Sequence, residues 1–203
     1  MARATSQFVC QTCGAVHRKW SGKCDGCGEW NSIVEESGET NVPKGVTKSG
    51  GRAVAFASLD GAPDERTRRM TGMAELDRVC GGGMVPGSAL LVGGDPGIGK
   101  STLLLQAAAM LAKSGLSVAY ISGEEAVDQI RLRAARLGLA DAPVDVASAT
   151  NVRDILAALD KVGGPDVAII DSIQTMYADN LDSAPGTVAQ VRTCAQELIR
   201  VAK

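Results

Sequence analysis

Gly94-Asp95-Pro96-Gly97-Ile98-Gly99-Lys100-Ser101, followed by Thr102, fits the pattern G-x-x-x-x-G-K-[ST] at every fixed position. The apolar run Ala89-Leu90-Leu91-Val92 precedes it and an Ala/Leu-rich stretch over 102–113 follows, so the sequence predicts a strand, a glycine loop and a helix in that order. Glycines let successive backbone N–H groups turn inward around phosphate oxygens, and the helix that follows adds its positive N-terminal end to the same spot. Lys100 then bridges the β- and γ-phosphates of ATP as a point charge. The Ser101 hydroxyl takes one place in an octahedral Mg2+ shell filled out by water and phosphate.

The 203 residues suffice for one core of ordinary size and a small extra module. With 45% hydrophobic, 22% charged and only 3% aromatic residues, the core has to be aliphatic. A net charge of −2 gives no global attraction for nucleic acid, so any such contact needs a local patch. The first residues, Met1-Ala2-Arg3-Ala4-Thr5-Ser6-Gln7-Phe8, hold no apolar segment of the secretory type, and Gln106 interrupts the longest apolar run. The sequence therefore reads as a soluble cytoplasmic protein without a membrane partner.

Four of the six cysteines fall in one segment as Cys10-Gln11-Thr12-Cys13-Gly14 and Cys24-Asp25-Gly26-Cys27-Gly28. Each Cys-x-x-Cys-Gly turn converges two thiolates on one ion, and two turns complete a tetrahedral Zn2+ site. The ten residues between the pairs predict a compact ribbon, residues 1–34. Two redox dithiols are the competing reading, without a βαβ pattern to support them. His17 lies between the pairs but is not needed as a ligand, and Trp20 and Trp30 are expected to cover the metal. Residues 35–57, rich in Gly, Ser, Thr, Lys and Glu, read as a flexible linker.

Residues 58–203 form the larger domain. Residues 71–79 suggest a short helix ended by Gly81-Gly82-Gly83, and Pro86-Gly87 turns the chain toward the glycine loop. Strands are predicted over 117–121, 144–147 and 166–171, and helices over 126–137, 152–162 and 187–203, with Asn151 as an N-cap. The last of these strands, Asp166-Val167-Ala168-Ile169-Ile170-Asp171, is apolar throughout rather than alternating. That marks a strand covered on both faces, and the alternation of elements predicts a doubly wound α/β fold with a mainly parallel sheet.

Asp171 ends a buried strand where α/β sheets place their ligands, so it is the expected second holder of Mg2+. Hydrolysis also needs a group that orients water. Glu124 and Glu125, just after the 117–121 strand, are candidates, Glu124 preferred and Glu125 its substitute.

The cysteine quartet with Trp20-Ser21-Gly22-Lys23 and Glu29-Trp30-Asn31, the stretch from Thr71-Gly72 to Val79, Gly81-Gly82-Gly83 and the glycine loop together resemble the bacterial RadA (Sms) family of DNA repair proteins. The resemblance covers nearly the whole chain except the linker. It implies a zinc ribbon ahead of a RecA-like P-loop ATPase that promotes branch migration of recombination intermediates, loads on single-stranded DNA, cooperates with the RecA recombinase and forms a ring-like homo-oligomer. It also places Glu124 as the catalytic glutamate and Asp171 as the second metal-site acid. The sequence departs from that family in lacking its Lys-Asn-Arg-Phe-Gly motif and Lon-like domain, and Cys80 stands where an aliphatic residue is usual. Residues 176–186, where a RecA-like fold faces DNA, carry Asp179 and Asp182 and no basic residue, which leaves Arg192 as the nearest cation candidate.

A RecA-like sheet has one more strand between the Asp171 strand and the strand before the glycine loop, and the chain stops at Lys203 before it. The expectation is an incomplete domain with an open slot there, unless residues 144–147 fill it. An ATP-switched recruiting clamp and a small-molecule kinase are the alternatives to a DNA motor, and the tethered ribbon speaks against the kinase.

Overall fold

The computed structural model describes residues 7–36, 56, 58, 60, 68–161 and 164–203. Most of the expected linker lies outside the described residues. The N-terminal ribbon is an antiparallel sheet of order β2-β1-β3, built from β1 (Gln7–Cys10), β2 (Val16–His17) and β3 (Ile33–Glu36). Its interior is Cys10, Cys24 and Ile33, with Phe8 and Ala15 packed beside them. The sulfurs fill the centre, so the indoles have no inside to enter. Trp20 and Trp30 are 56% and 69% exposed, both lie beside Gly22, and they do not cover the metal site, contrary to expectation.

The larger domain begins with a hook. Arg69 and Met84 exchange backbone hydrogen bonds, and the chain between them holds α1 (Ala74–Val79). At its centre the buried Asp77 carboxylate accepts from Thr71 N–H and Thr71 Oγ1, both at 2.8 Å, and from Gly72 N–H at 3.1 Å. An acid can be buried here because each oxygen has a donor. Arg69 then pairs with Asp166 at 2.9 Å, and Asp166 accepts from Ser117 N–H and Oγ, which ties the hook to the entry side of the sheet.

The helix after the glycine loop is α2 (Lys100–Lys113). Its alanines 107, 108, 109 and 112 are buried with Leu105 and Leu111, so the helix approaches the sheet closely. Each of the two buried leucines contributes about 1.5–3 kcal/mol. There follow β4 (Val118–Ser122), α3 (Val127–Arg136), β5 (Val144–Ser148), α4 (Val152–Leu159), β6 (Val167–Asp171), a 3-10 turn (Ile173–Thr175) and α5 (Val188–Ala202). The strands form a parallel sheet of order β5-β4-β6. Val118, Tyr120 and Ile169 face α2 and α3, and Ile121 and Ile170 face the opposite cluster with Val152, Ile155 and Cys194 of α4 and α5. Both faces are covered, as the apolar strands predict. Asn151 caps α4 by accepting from Arg153 N–H at 2.9 Å.

One expected strand is not formed. Residues 89–92 belong to no strand, and Leu90 and Leu91 are 55% and 88% exposed. The reason lies in the strand order: β6 pairs with β4 on one side, and no described strand lies on its other side. Residues 144–148 do not take that place, since β5 pairs with the far edge of β4. An apolar run without a ladder partner cannot satisfy its backbone as a strand.

The hook supplies an acid-sensitive anchor. The Thr71 N–H, then the Thr71 hydroxyl and Gly72 N–H, hold the Asp77 carboxyl below its ordinary value against desolvation. A lowered folded pKa means the unfolded chain binds the proton more tightly. The contribution is therefore complete above the usual carboxylate range of about 4 and is lost as pH falls through the folded value. Asp77→Asn is expected to lower the melting temperature at neutral pH and to flatten the loss of stability on acidification, followed by circular dichroism. An unchanged acid limb would contradict this.

Candidate functional site

Local backbone chemistry shapes the glycine loop. Gly97 and Gly99 adopt φ of 79° and 102°, a region costly for any residue with a Cβ, and a Cβ built on either would meet nothing within 4 Å. Glycine is thus required by conformation, and the space in front of the loop is open. α2 starts at Lys100 with Gly99 as N-cap, so its first N–H groups face that space without a side-chain cap. Lys100 folds back, with Nζ donating to the carbonyls of Gly94 at 2.7 Å and Asp95 at 2.8 Å. Its ammonium stands at the mouth of the loop. An anion there would meet the amine, the free N–H groups and the helix end together.

The sheet brings the acid. Ser101 Oγ donates to Asp171 Oδ1 at 3.0 Å, joining the first turn of α2 to the last residue of β6 across 70 positions of sequence. Two hard oxygens meeting beside a phosphate-binding loop are the donor set Mg2+ takes. The other carboxylate oxygen, Oδ2, accepts from the Tyr120 hydroxyl of the neighbouring strand. Burial, reinforced by Asp171, pushes the Tyr120 phenol well above its usual range, so it stays an O–H donor.

Glu124 and Glu125 part company, as adjacent residues at a strand-to-helix junction should. Ser122 Oγ accepts from both backbone N–H groups, at 3.2 and 3.0 Å, which fixes the turn. At Gly123 an added Cβ would lie 2.1 Å from Thr175 Oγ1, so only glycine lets this turn pack on the 3-10 turn after β6. The exposed Glu124 accepts from Ser172 Oγ at 2.8 Å, next to Asp171. Glu125 instead pairs with Arg133 of α3 at 2.7 Å. The structure thus joins Ser101, the residue after Lys100 on α2, to Asp171 of β6, sets Glu124 on Ser172 next to Asp171, and holds Glu125 against α3.

Sequence reasoning passed over Tyr120, Arg133 and Gln190. The signal for Tyr120 was present, since a tyrosine in a buried aliphatic strand needs a partner for its hydroxyl. Gln190 is fully buried on α5 and bonds Ala178 N–H and the carbonyls of Ala178, Leu181 and Ser183. It orders the 176–186 loop, where Asp179 pairs with Arg153 at 3.0 Å. Arg192 is exposed on α5.

In the ribbon, Cys10, Cys13, Cys24 and Cys27 bring their sulfurs within 4.8 Å of one another, with Cys10–Cys27 and Cys13–Cys24 each at 3.7 Å. A tetrahedron with Zn–S arms of about 2.3 Å has edges of about 3.8 Å, so the spacing is that of a four-thiolate zinc site. The Ser32 hydroxyl, 3.3 Å away, holds the Cys10 thiol down to about 5. At Cys27 the Glu29 backbone pulls the same way, but desolvation and the three neighbouring sulfurs outweigh it and push the thiol up to about 12. Four thiolates repel until a cation joins them. His17 Nε2 lies 3.4 Å from Cys24 Sγ, beside a ligand rather than among the ligands.

Among the described residues no helix is long and apolar enough to cross a membrane. The ribbon matches the model of the rubredoxin metal binding domain over residues 8–35. The chain is 57% identical over 211 residues to the DNA repair protein RadA of Brucella abortus (strain 2308), covering 100% of this chain and 45% of that protein. It is 48% identical over 206 residues to RadA of Halalkalibacterium halodurans and 45% identical over 216 residues to RadA of Bacillus subtilis (strain 168), again covering 45% of each relative. The chain thus spans about half the length of the curated relatives it matches. With a glycine loop on α2, an acid at the end of β6 and a model match over residues 62–203, the chain belongs to the AAA domain family.

Proposed function

We propose that this chain binds ATP with Mg2+ and hydrolyses it as part of a DNA repair ATPase of the RadA type. The observation that carries the reading is the contact between Ser101 Oγ and Asp171 Oδ1 at the foot of the glycine loop. Lys100, released from the Gly94 and Asp95 carbonyls, holds the β- and γ-phosphates, and the N-terminal N–H groups of α2 take the remaining phosphate charge. Ser101 and Asp171 are the residues that would hold Mg2+, which would supply positive charge for the phosphate oxygens. Glu124 orients the attacking water, because Glu125 is already committed to Arg133, while among the described residues the Glu124 carboxylate has the Ser172 hydroxyl as its partner.

In the whole protein we place this ATPase in the cytoplasm as a ring-forming motor that loads on single-stranded DNA, promotes branch migration and works with the RecA recombinase. The likeness to RadA supports this reading. The 176–186 loop, acidic and tied down by Gln190 and Arg153, favours DNA contacts made elsewhere or an ATP-switched clamp that recruits repair proteins through the ribbon. ATP hydrolysis measured with and without single-stranded DNA separates motor from clamp.

Lys100→Ala is expected to weaken nucleotide binding at least about tenfold by removing the phosphate cation, while Glu124→Gln leaves binding intact and abolishes hydrolysis. Fluorescent-nucleotide titration and phosphate release check the pair. Equal loss of binding in both variants would overturn the assignment, and hydrolysis retained in Glu124→Gln would hand the water to Glu125.

For the ribbon, protein purified without chelator is expected to carry about one Zn2+ per chain, since four thiolates complete a structural site. Cys27→Ala should lose the metal and unfold residues 8–35 while the AAA domain keeps its own thermal transition. Metal analysis and thiol titration decide: absence of zinc with four freely reactive thiols contradicts the site.

A further inference from the structure

The carboxylate at the end of β6 is held from behind by a relay that the nucleotide chemistry above does not use. Tyr120 is fully buried at the middle of β4, beside Ile169 of β6, and its hydroxyl reaches Asp171 Oδ2. The same hydroxyl accepts from Arg133 Nη2 at 3.4 Å, and Arg133 is fixed in turn by Glu125 at 2.7 Å. Arg133 Nη2 also stands 4.0 Å from Asp171 Oδ2, and the side chains of both residues are largely buried, at 14% and 13% exposure. The chain of contacts therefore runs Glu125, Arg133, Tyr120, Asp171, Ser101, from the start of α3 to the start of α2.

We infer that Tyr120, supported by Arg133, is the positioning residue that reserves one oxygen of Asp171 for the protein and turns the other toward Mg2+. This inference rests on the proposed Mg2+-nucleotide site. The physical argument is one of orientation. A carboxylate at a strand end can rotate about its terminal bond, and presenting either oxygen to a hydrated ion costs order that must be supplied at binding. A donor on Oδ2, in a buried environment where hydrogen bonds are strong, fixes that rotation in advance. Arg133 completes the hydroxyl's partners, so its proton points to Asp171 and nowhere else. Glu125 acquires a role here distinct from that of its neighbour: it anchors the arginine.

Tyr120→Phe keeps the ring and its packing and removes only the donor. With the 203-residue chain, fluorescent ADP is titrated in EDTA and again across a range of Mg2+ concentrations, alongside a thermal melt. The expected result is unchanged affinity in EDTA and a half-saturating Mg2+ concentration raised at least about tenfold, the effect of losing one hydrogen bond to a charged group. Arg133→Met should shift the same midpoint in the same direction, and it serves as the test should Tyr120→Phe fail to fold. A Mg2+ midpoint equal to that of the unmodified chain in a folded variant overturns the inference. If the unmodified chain shows no Mg2+-dependent nucleotide binding at all, the underlying site is refuted instead, so the two failures are told apart.

Discussion

The hydrogen bond between Ser101 and Asp171 is the contact on which the architecture turns. Residues 89–92 enter the glycine loop outside any ladder, so the sheet does not hold the loop by strand pairing. What fixes the loop against the sheet is α2, packed through Leu105, Ala108 and Leu111 onto Val118, Tyr120 and Ile169, and at its first turn the serine hydroxyl on the β6 carboxylate. Close packing of small residues sets the helix at one distance from the strands. The polar contact then selects the rotation of its N-terminal turn. A phosphate site built this way is shared between two elements that meet only because β4 lies between β5 and β6 and brings its tyrosine under the acid.

Much of this was legible in the residues. The glycine loop, the paired cysteine turns, the Asn151 cap and the acid after an apolar strand each carry a local requirement that few other folds satisfy, and each stands where the pattern puts it. The misses have a common physical cause. Apolarity at 89–92 reads as a strand, but strand formation depends on a partner that no local pattern reports. Trp20 and Trp30 read as a cover for the metal because so short a segment offers no other core, yet the ribbon's interior is occupied by sulfur and Ile33 and both indoles are exposed. Tyr120, Arg133 and Gln190 each have a partner 12 or more positions away, Asp171 for Tyr120, Tyr120 for Arg133 and Ala178 for Gln190, and such pairings appear only once the chain is folded.

The two modules solve opposite electrostatic problems. In the ribbon, thiols crowd together so that their ionised forms repel, and a divalent cation turns that repulsion into cohesion. In the AAA domain, the buried Asp77 meets donors from Thr71 and Gly72 that favour its ionised form, while Asp171 accepts from the Ser101 and Tyr120 hydroxyls. The first carboxylate is fully used by the protein and holds the hook. The second keeps one oxygen on a hydroxyl that can be surrendered to a metal ion. That difference, rather than burial, is what the proposed Mg2+ site asks of Asp171 and not of Asp77.

The central claim is that the glycine loop and the β6 carboxylate form a single nucleotide-metal site, and Mn2+ in place of Mg2+ tests it most directly. Electron paramagnetic resonance titration of the zinc-loaded chain, with and without ADP, counts bound Mn2+ in the unmodified protein and in Asp171→Ala. The account predicts about one ADP-dependent Mn2+ per chain, bound at least about tenfold more weakly in the variant while ADP itself still binds. Mn2+ binding that ignores ADP, or that is the same in both proteins, would contradict it.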